Sequence, residues 1–324
     1  MQNAVFDRDR VLLTSPHVAL CRQADGTLRL DTPDTELVFA AHDADRVVAM
    51  VESAIEPRST AQLTRDRPRD IALIDVALDA GALRDVTAFI RSPTSAAQLD
   101  AYYVLCDSWA RDIFLDPFWT KVLSGEASTR LMLGWCEQFY HRTVGADEHN
   151  EVAVAYCDLP GVALALAKHF REEQGHGEIF LQGLEEAGVD RRMVADRPPL
   201  PSTRALIDFF SDLGRTDTLA YLACYGVLHS PREGQTLEAV RTQFSTLRRA
   251  YPGAEPALRR VAQHAEIDVQ AGHDQIVFEP YLLSRAPLCS SEAKRVLASV
   301  RGTVVTFKRF FDGILAAYDG DQSR

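Results

Sequence analysis

The chain has 324 residues, 46% hydrophobic and 25% charged, a globular composition long enough for one large domain or two ordinary ones. Its net charge of -11 argues against nucleic acid as a partner, because a phosphate backbone is held by clustered Lys and Arg. No apolar run approaches the roughly 18 residues of a membrane helix, and "MQNAVFDRDRVLLTSPHV" has no basic segment leading into a long apolar core. No membrane span and no secretion signal are therefore expected, and a cytoplasmic location is the default. Cys21, Cys106, Cys136, Cys157, Cys224 and Cys289 are scattered without a CxxC pair, so reduced thiols are expected rather than a disulfide framework.

Residues 1–92 alternate and turn. "RVLLTSPHVALCRQ", "LRLDTP" and "ELVFAAHD" read as short strands, with "ADGT" as a hairpin turn. Two amphipathic helices follow: "DRVVAMVESAI", with Asp43 or Asp45 as its cap, and "RDIALIDVALDAGAL", ending at Gly81. "PRST", residues 57–60, reads as the turn between them. This order, strands and then helices, resembles the winged-helix peptide-recognition modules of pathways that modify ribosomally made peptides. The resemblance implies a leader peptide that adds a strand to the sheet edge. A structural or homodimerisation appendage is equally open.

"RSPTS", residues 91–95, is the most linker-like stretch and places a boundary at 92/93. From there the chain reads as helices over 95–107, 127–145, 160–187, 203–213, 216–229, 235–250, 255–275 and 291–318. Long helices without strand alternation predict a mainly α fold, a helical bundle over 93–324 behind a small α+β module.

The chemistry-bearing residues sit on these helices. In "HFREEQGHGEIF", His169, Glu172, Glu173 and His176 are three, four and seven apart, one stripe of an uninterrupted helix. In "RRVAQHAEIDVQAGHDQIVF", His264 and Asp268 share a face at i, i+4. A His and a carboxylate on one helix facing Glu and His on another is how helical bundles build di-metal sites, and such donors suit iron or manganese better than calcium. His273, five residues beyond Asp268, falls about 140° round an ideal helix and joins only through a π-bulge. The bland alternative is a solvated stripe, where carboxylates ordinarily live.

"DPFWTKVLSGEASTRLMLGWCEQFYH", Asp116 to His141, resembles the opening of the haem-oxygenase-like helical fold shared by thiaminase II and pyrroloquinoline-quinone synthase. Downstream, "EEQGH" and "HAEID" resemble the ligand helices of the diiron oxidases of that superfamily. The resemblance implies Glu173 and His176 as the first metal pair and His264, Asp268 and His273 as a later set. It also implies a carboxylate from the helix between, yet "TLAYLACYGVLHSP" has none, and only Cys224 and His229 are donors there. A histidine-richer di-iron site, a single iron or manganese, and a site that has lost its metal all remain open. The implied activity is O2-dependent oxidation of an amine, amino acid, carboxylic acid or peptide, with Glu137 as an acid–base group or an orienting residue. The rival classes are a metal-free oxidase or hydrolase of the thiaminase or quinone-synthase kind, and a non-catalytic binding protein.

Overall fold

The computed structural model describes residues 9–64, 68–159, 161–229, 236–271 and 277–319. The chain divides into two compact units, Met1–Asp112 with Leu282–Val305, and Ile113–Tyr281 with Thr306–Arg324. The boundary expected at residue 92 lies in a turn ahead of a long helix, and the first unit continues through most of that helix.

The first unit contains β1 (Val11–Thr14), β2 (Ala19–Arg22), β3 (Leu28–Asp31), β4 (Glu36–Phe39), α1 (Ala41–Ser53), β5 (Arg58–Ser59), α2 (Thr60–Thr64), α3 (Pro68–Asp79), β6 (Leu83–Asp85) and α4 (Thr87–Ile90), and then most of α5 (Ser95–Phe114). Among the described residues two three-stranded antiparallel sheets form, ordered β5-β1-β6 and β2-β3-β4. β1 is buried along its length because it is the centre strand, with Leu12 opposite both Arg58 and Asp85. β3 alternates: Leu28 and Leu30 enter the core, and Arg29 and Asp31 face outward, as period-2 patterning requires. In the "ADGT" turn, Asp25 accepts from Thr27 N and Oγ1 at 2.9 and 2.7 Å, an Asx turn that closes the β2–β3 hairpin.

Two local expectations change. α1 starts at Ala41 with no side-chain cap, and Asp43 lies within its first turn, where it pairs with Arg69 across to α3 at 2.8 Å. A carboxylate there complements the helix dipole without capping. "PRST" is more than a turn, since Arg58 and Ser59 pair with β1 and Thr60 opens α2.

The second unit carries α6 (Pro117–Leu123), α7 (Thr129–Tyr156), α8 (Val162–Glu173), α9 (Gly177–Glu186), α10 (Arg191–Asp196), α11 (Pro201–Thr216), α12 (Thr218–His229), α13 (Leu237–Ala250), a 3-10 turn over Pro252–Ala254, and α14 (Glu255–Ala271). α15 (Phe278–Leu283) and α16 (Ser290–Tyr318) complete the described chain. "DPFW" starts α6, a helix not among those expected: Pro117 takes the first turn and Asp116 accepts from Phe118 N at 3.0 Å while pairing with Lys308 at 3.0 Å. α7 runs well past the expected residue 145, because nothing in "GADEHNEVAVAY" breaks it. Its aromatic face builds a core in which Trp119 meets Trp135, Trp135 meets Phe139 and Phe139 meets Phe180, at centroid distances of 5.5, 5.9 and 5.2 Å. That row of rings leads to α9 and α14, which bear the histidines.

Candidate metal centre

The helix expected over 160–187 is two helices. Gln174 leaves helical geometry at φ -58°, ψ 125°, and Gly175 takes φ +83°, so Glu173 ends α8 and His176 opens α9. Glycine reaches that left-handed region without the Cβ clash other residues meet. Within the turn, His176 N donates to Glu173 O at 3.1 Å. The turn, not a continuous helical stripe, brings His176 Nδ1 to 3.2 Å from Glu173 Oε2.

The break also sorts the other two stripe members. Glu172 turns outward and pairs with Lys168 at 3.4 Å, and His169 sets its ring edge-on to Tyr225 at 5.1 Å. The solvated-stripe reading fails for the inner pair: Glu173 is buried, and the His176 side chain is only 15% exposed.

α14 presents the second pair on adjacent turns, with His264 Nδ1 3.1 Å from Asp268 Oδ2. α9 approaches α14 closely enough for the rings of His176 and His264 to meet edge-on at 4.9 Å, with Phe180 against His264 at the same distance. Glu173, His176, His264 and Asp268 thus offer ligand atoms that all lie within 4.8 Å of one another, the one such group among the described residues.

These residues fit a metal ion. Two imidazoles and two carboxylates around one point match the nitrogen and oxygen preference of iron or manganese. His264 Nε2 is buried with no hydrogen-bond partner among the described residues. Because Nδ1 faces Asp268, the tautomer that donates Nδ1–H to the carboxylate leaves the Nε2 lone pair for a metal. An orphaned buried nitrogen costs stability that coordination would recover.

Other expected members separate. Glu137 is not at the cluster as a free acid–base group: its buried carboxylate accepts from Arg197 Nη1 at 2.9 and 3.1 Å, an ion pair formed across 60 residues of chain. Cys224 is buried in α12 and is not one of the four grouped donors. His229 is the last residue of α12, but its side chain lies outside the described set; His273 and the π-bulge expected at Gly272 lie outside the described residues.

In place of the missing middle-helix carboxylate, α12 brings tyrosines. Tyr221 and Tyr225, four apart, stack at 5.8 Å. Tyr221 OH donates to Asn150 Oδ1 at 2.6 Å and meets His149 Nδ1 at 2.9 Å. Burial holds the Tyr225 phenol protonated, raising it well above its ordinary value, and the Glu173 and Asp268 carboxylates push the same way. Burial likewise lowers His149 to about 3, helped by the charges of Arg142 and His169, so its imidazole stays neutral. His149, Arg142 and Tyr225 help line a cavity of about 10 Å³, on the scale of one water. The i, i+4 tyrosines were visible in "YLACY", but nothing local says that Tyr225 lies near the Glu173 and Asp268 carboxylates.

The fold and family agree with this geometry. A domain of unknown function with a haem-oxygenase-like fold from Shewanella denitrificans OS217 superposes at a TM-score of 0.54 and 21% identity, over 70% of this chain and 97% of that one. A TenA homologue from Pseudomonas syringae pv. tomato DC3000 superposes at 0.50 and 12% identity, over 70% and 95%. At those identities the likeness is one of fold, and it makes this a haem-oxygenase-like helical protein. No curated protein matches the chain. Residues 133–304, more than half of the sequence and including all four clustered donors, match the sequence model of a family described as iron-containing redox enzymes, and the chain belongs to that family.

Proposed function

We propose that the chain binds a pair of iron ions, the first held by Glu173, His176, His264 and Asp268, and with O2 as co-substrate oxidises an amine, amino acid, carboxylic acid or peptide. The observation carrying this reading is the convergence of four donors from α8, α9 and α14 to within 4.8 Å. Bound iron would supply the one-electron chemistry that dioxygen requires and that no amino-acid side chain of this set provides. Glu173 and Asp268 would hold the ion through oxygen and offset its charge, and His176 and His264 would add neutral nitrogen donors. Asp268 orients His264 through Nδ1. Phe180 packs its ring against His264 and covers that side of the centre.

The test is anaerobic titration of the apo-protein with Fe(II), which is expected to load about two equivalents, and about none in His176→Ala or Asp268→Ala, since each removes a ligand. Unchanged iron content in both variants refutes the assignment. A wild-type protein that binds no iron favours the metal-free chemistry of the fold.

The first unit is proposed to recruit a peptide substrate. β2 and β4 are the outer strands of their sheet, where an extended peptide can add backbone hydrogen bonds. Peptide binding should then slow amide exchange in residues 19–22 or 36–39. If exchange stays the same and sedimentation shows a dimer, a second copy occupies the edge instead.

A further inference from the structure

We infer that Arg142 of α7 anchors a carboxylate of the substrate, so that the molecule oxidised is a carboxylate-bearing one rather than a simple amine. The inference rests on the oxidation proposed above and selects among the substrates it allows.

Arg142 stands inside the helical bundle without a counter-charge. It is half-buried, and its guanidinium carbon lies 5.2 Å from the centre of the Phe139 ring and 5.7 Å from that of Phe307. Among the described residues it makes no hydrogen bond and no ion pair. Its helix supplies no partner: the positions three and four away are Gln138, Phe139, Gly145 and Ala146, and Glu137 is taken by Arg197. Other arginines of the same unit behave differently, since Arg197, Arg204 and Arg260 each hold a carboxylate. Ring faces return only part of the hydration that a half-buried guanidinium gives up. A carboxylate, which the planar fork can grip through two parallel hydrogen bonds, returns more.

A cavity lies beside this side chain. Arg142 and His149, seven apart, share one stripe of α7. With Leu206, Ile207 and Phe210 of α11 and Tyr225 of α12 they line a space of about 10 Å³, room for a single oxygen atom. Arg142 is the one cation of that lining, because burial keeps His149 neutral. The lining holds no carboxylate, so an ammonium group would find no partner there, while the three apolar side chains suit the hydrocarbon next to an acid group.

Tyr225 links this cavity to the metal donors. Its ring meets that of His169 edge-on at 5.1 Å, and His169 lies one turn before Glu173 on α8. Its phenol feels the charge of Arg142 as well as those of Glu173 and Asp268. A carboxylate gripped by Arg142 therefore keeps the rest of a small molecule close to the proposed iron ligands.

The rival role is a brace, a cation that only joins the rings of Phe139 and Phe307. A brace has no preference between an anion and a neutral molecule of the same shape, and that preference is what the experiment reads. Full-length metal-free protein is titrated calorimetrically near neutral pH with sodium hexanoate, 1-hexanol and hexylamine, for wild type, Arg142→Met and Arg142→Lys. Wild type is expected to bind hexanoate roughly ten- to a hundredfold more tightly than hexanol, the worth of a charge-assisted contact, and hexylamine more weakly than either. Arg142→Met should lose the preference for hexanoate and keep its hexanol affinity. Arg142→Lys should keep part of the preference, having the charge without the fork. Arg142→Gln gives the same reading as the Met variant if that one does not fold. Hexanoate preference retained without Arg142, hexylamine bound by wild type as tightly as hexanoate, or no hexanoate binding by wild type overturns the inference. Fe(II) uptake, measured separately, should be the same in all the variants. Because the preference is read without metal, its failure leaves the iron site standing, and a protein that takes up no Fe(II) yet shows the Arg142-dependent preference brings down the iron site alone.

Discussion

Gly183→Ala tests whether the crossing of α9 and α14 sets the geometry of the donors. A Cβ at 183 would lie 2.8 Å from Arg260 Cβ and Cγ and 3.0 Å from Ala257 Cα. Favourable carbon–carbon contact begins at about 3.5 Å, so the helices must separate by roughly 0.5 Å at this point. Ala257 Cα is backbone and cannot rotate aside, and the Arg260 side chain is tied to Glu186 by an ion pair. Overpacking of this kind costs about 1–3 kcal/mol, offset by up to about 1 kcal/mol from the better helix propensity of alanine. The expected net loss is up to about 2 kcal/mol, read from urea unfolding of the chelator-treated protein. Gly183 lies two turns from His176, about 10 Å along the axis, so the separation reaches the contact between His176 and His264. Metal–ligand distances tolerate only about 0.2 Å, and Fe(II) affinity should fall roughly tenfold. A Gly183→Ala protein with wild-type stability and wild-type Fe(II) affinity would refute the view that this crossing holds the donors in place.

Two further predictions separate structural from functional roles. Glu137→Gln removes the charge that receives Arg197 and should lower stability by about 1.5–3 kcal/mol, the range of charge-assisted hydrogen bonds, with iron content unchanged; normal stability with O2-dependent turnover lost would restore Glu137 as an acid–base residue. For His149 the folded value of about 3 lies below the ordinary histidine value of 6.5, so the unfolded chain takes up a proton that the folded chain refuses. Stability is therefore lost as pH falls through the window between those values, by up to about 1.4 kcal/mol per pH unit for one proton. Measured on metal-free protein, wild type should lose ground to a non-titrating His149→Asn variant between pH 7 and pH 5, and a stability difference that stays constant over that range would contradict the burial argument.

Local spacing made the four clustered donors legible in the sequence alone. His264 and Asp268 at i, i+4 name a pair that neighbouring turns of one helix bring together, and Glu173 and His176, three apart, are kept together by the turn at Gly175. The long helical segments after residue 93 likewise announced a helical bundle, since amphipathicity is a property of a few consecutive residues, and "DPFW" added a family resemblance. Tertiary structure decided the rest. The stripe argument assumed unbroken i→i−4 bonding, but "QGH" holds a left-handed Gly175, and the turn sends Glu172 to solvent while keeping Glu173 inside. Glu137 looked available because its partner, Arg197, lies 60 positions away and meets it only in the folded chain. Tyr225 carried no local mark of its closeness to the Glu173 and Asp268 carboxylates, because it lies on a different helix from either. A spacing rule reports which side chains share a face; which faces meet, and which buried atom is left without a partner, depends on how the helices pack.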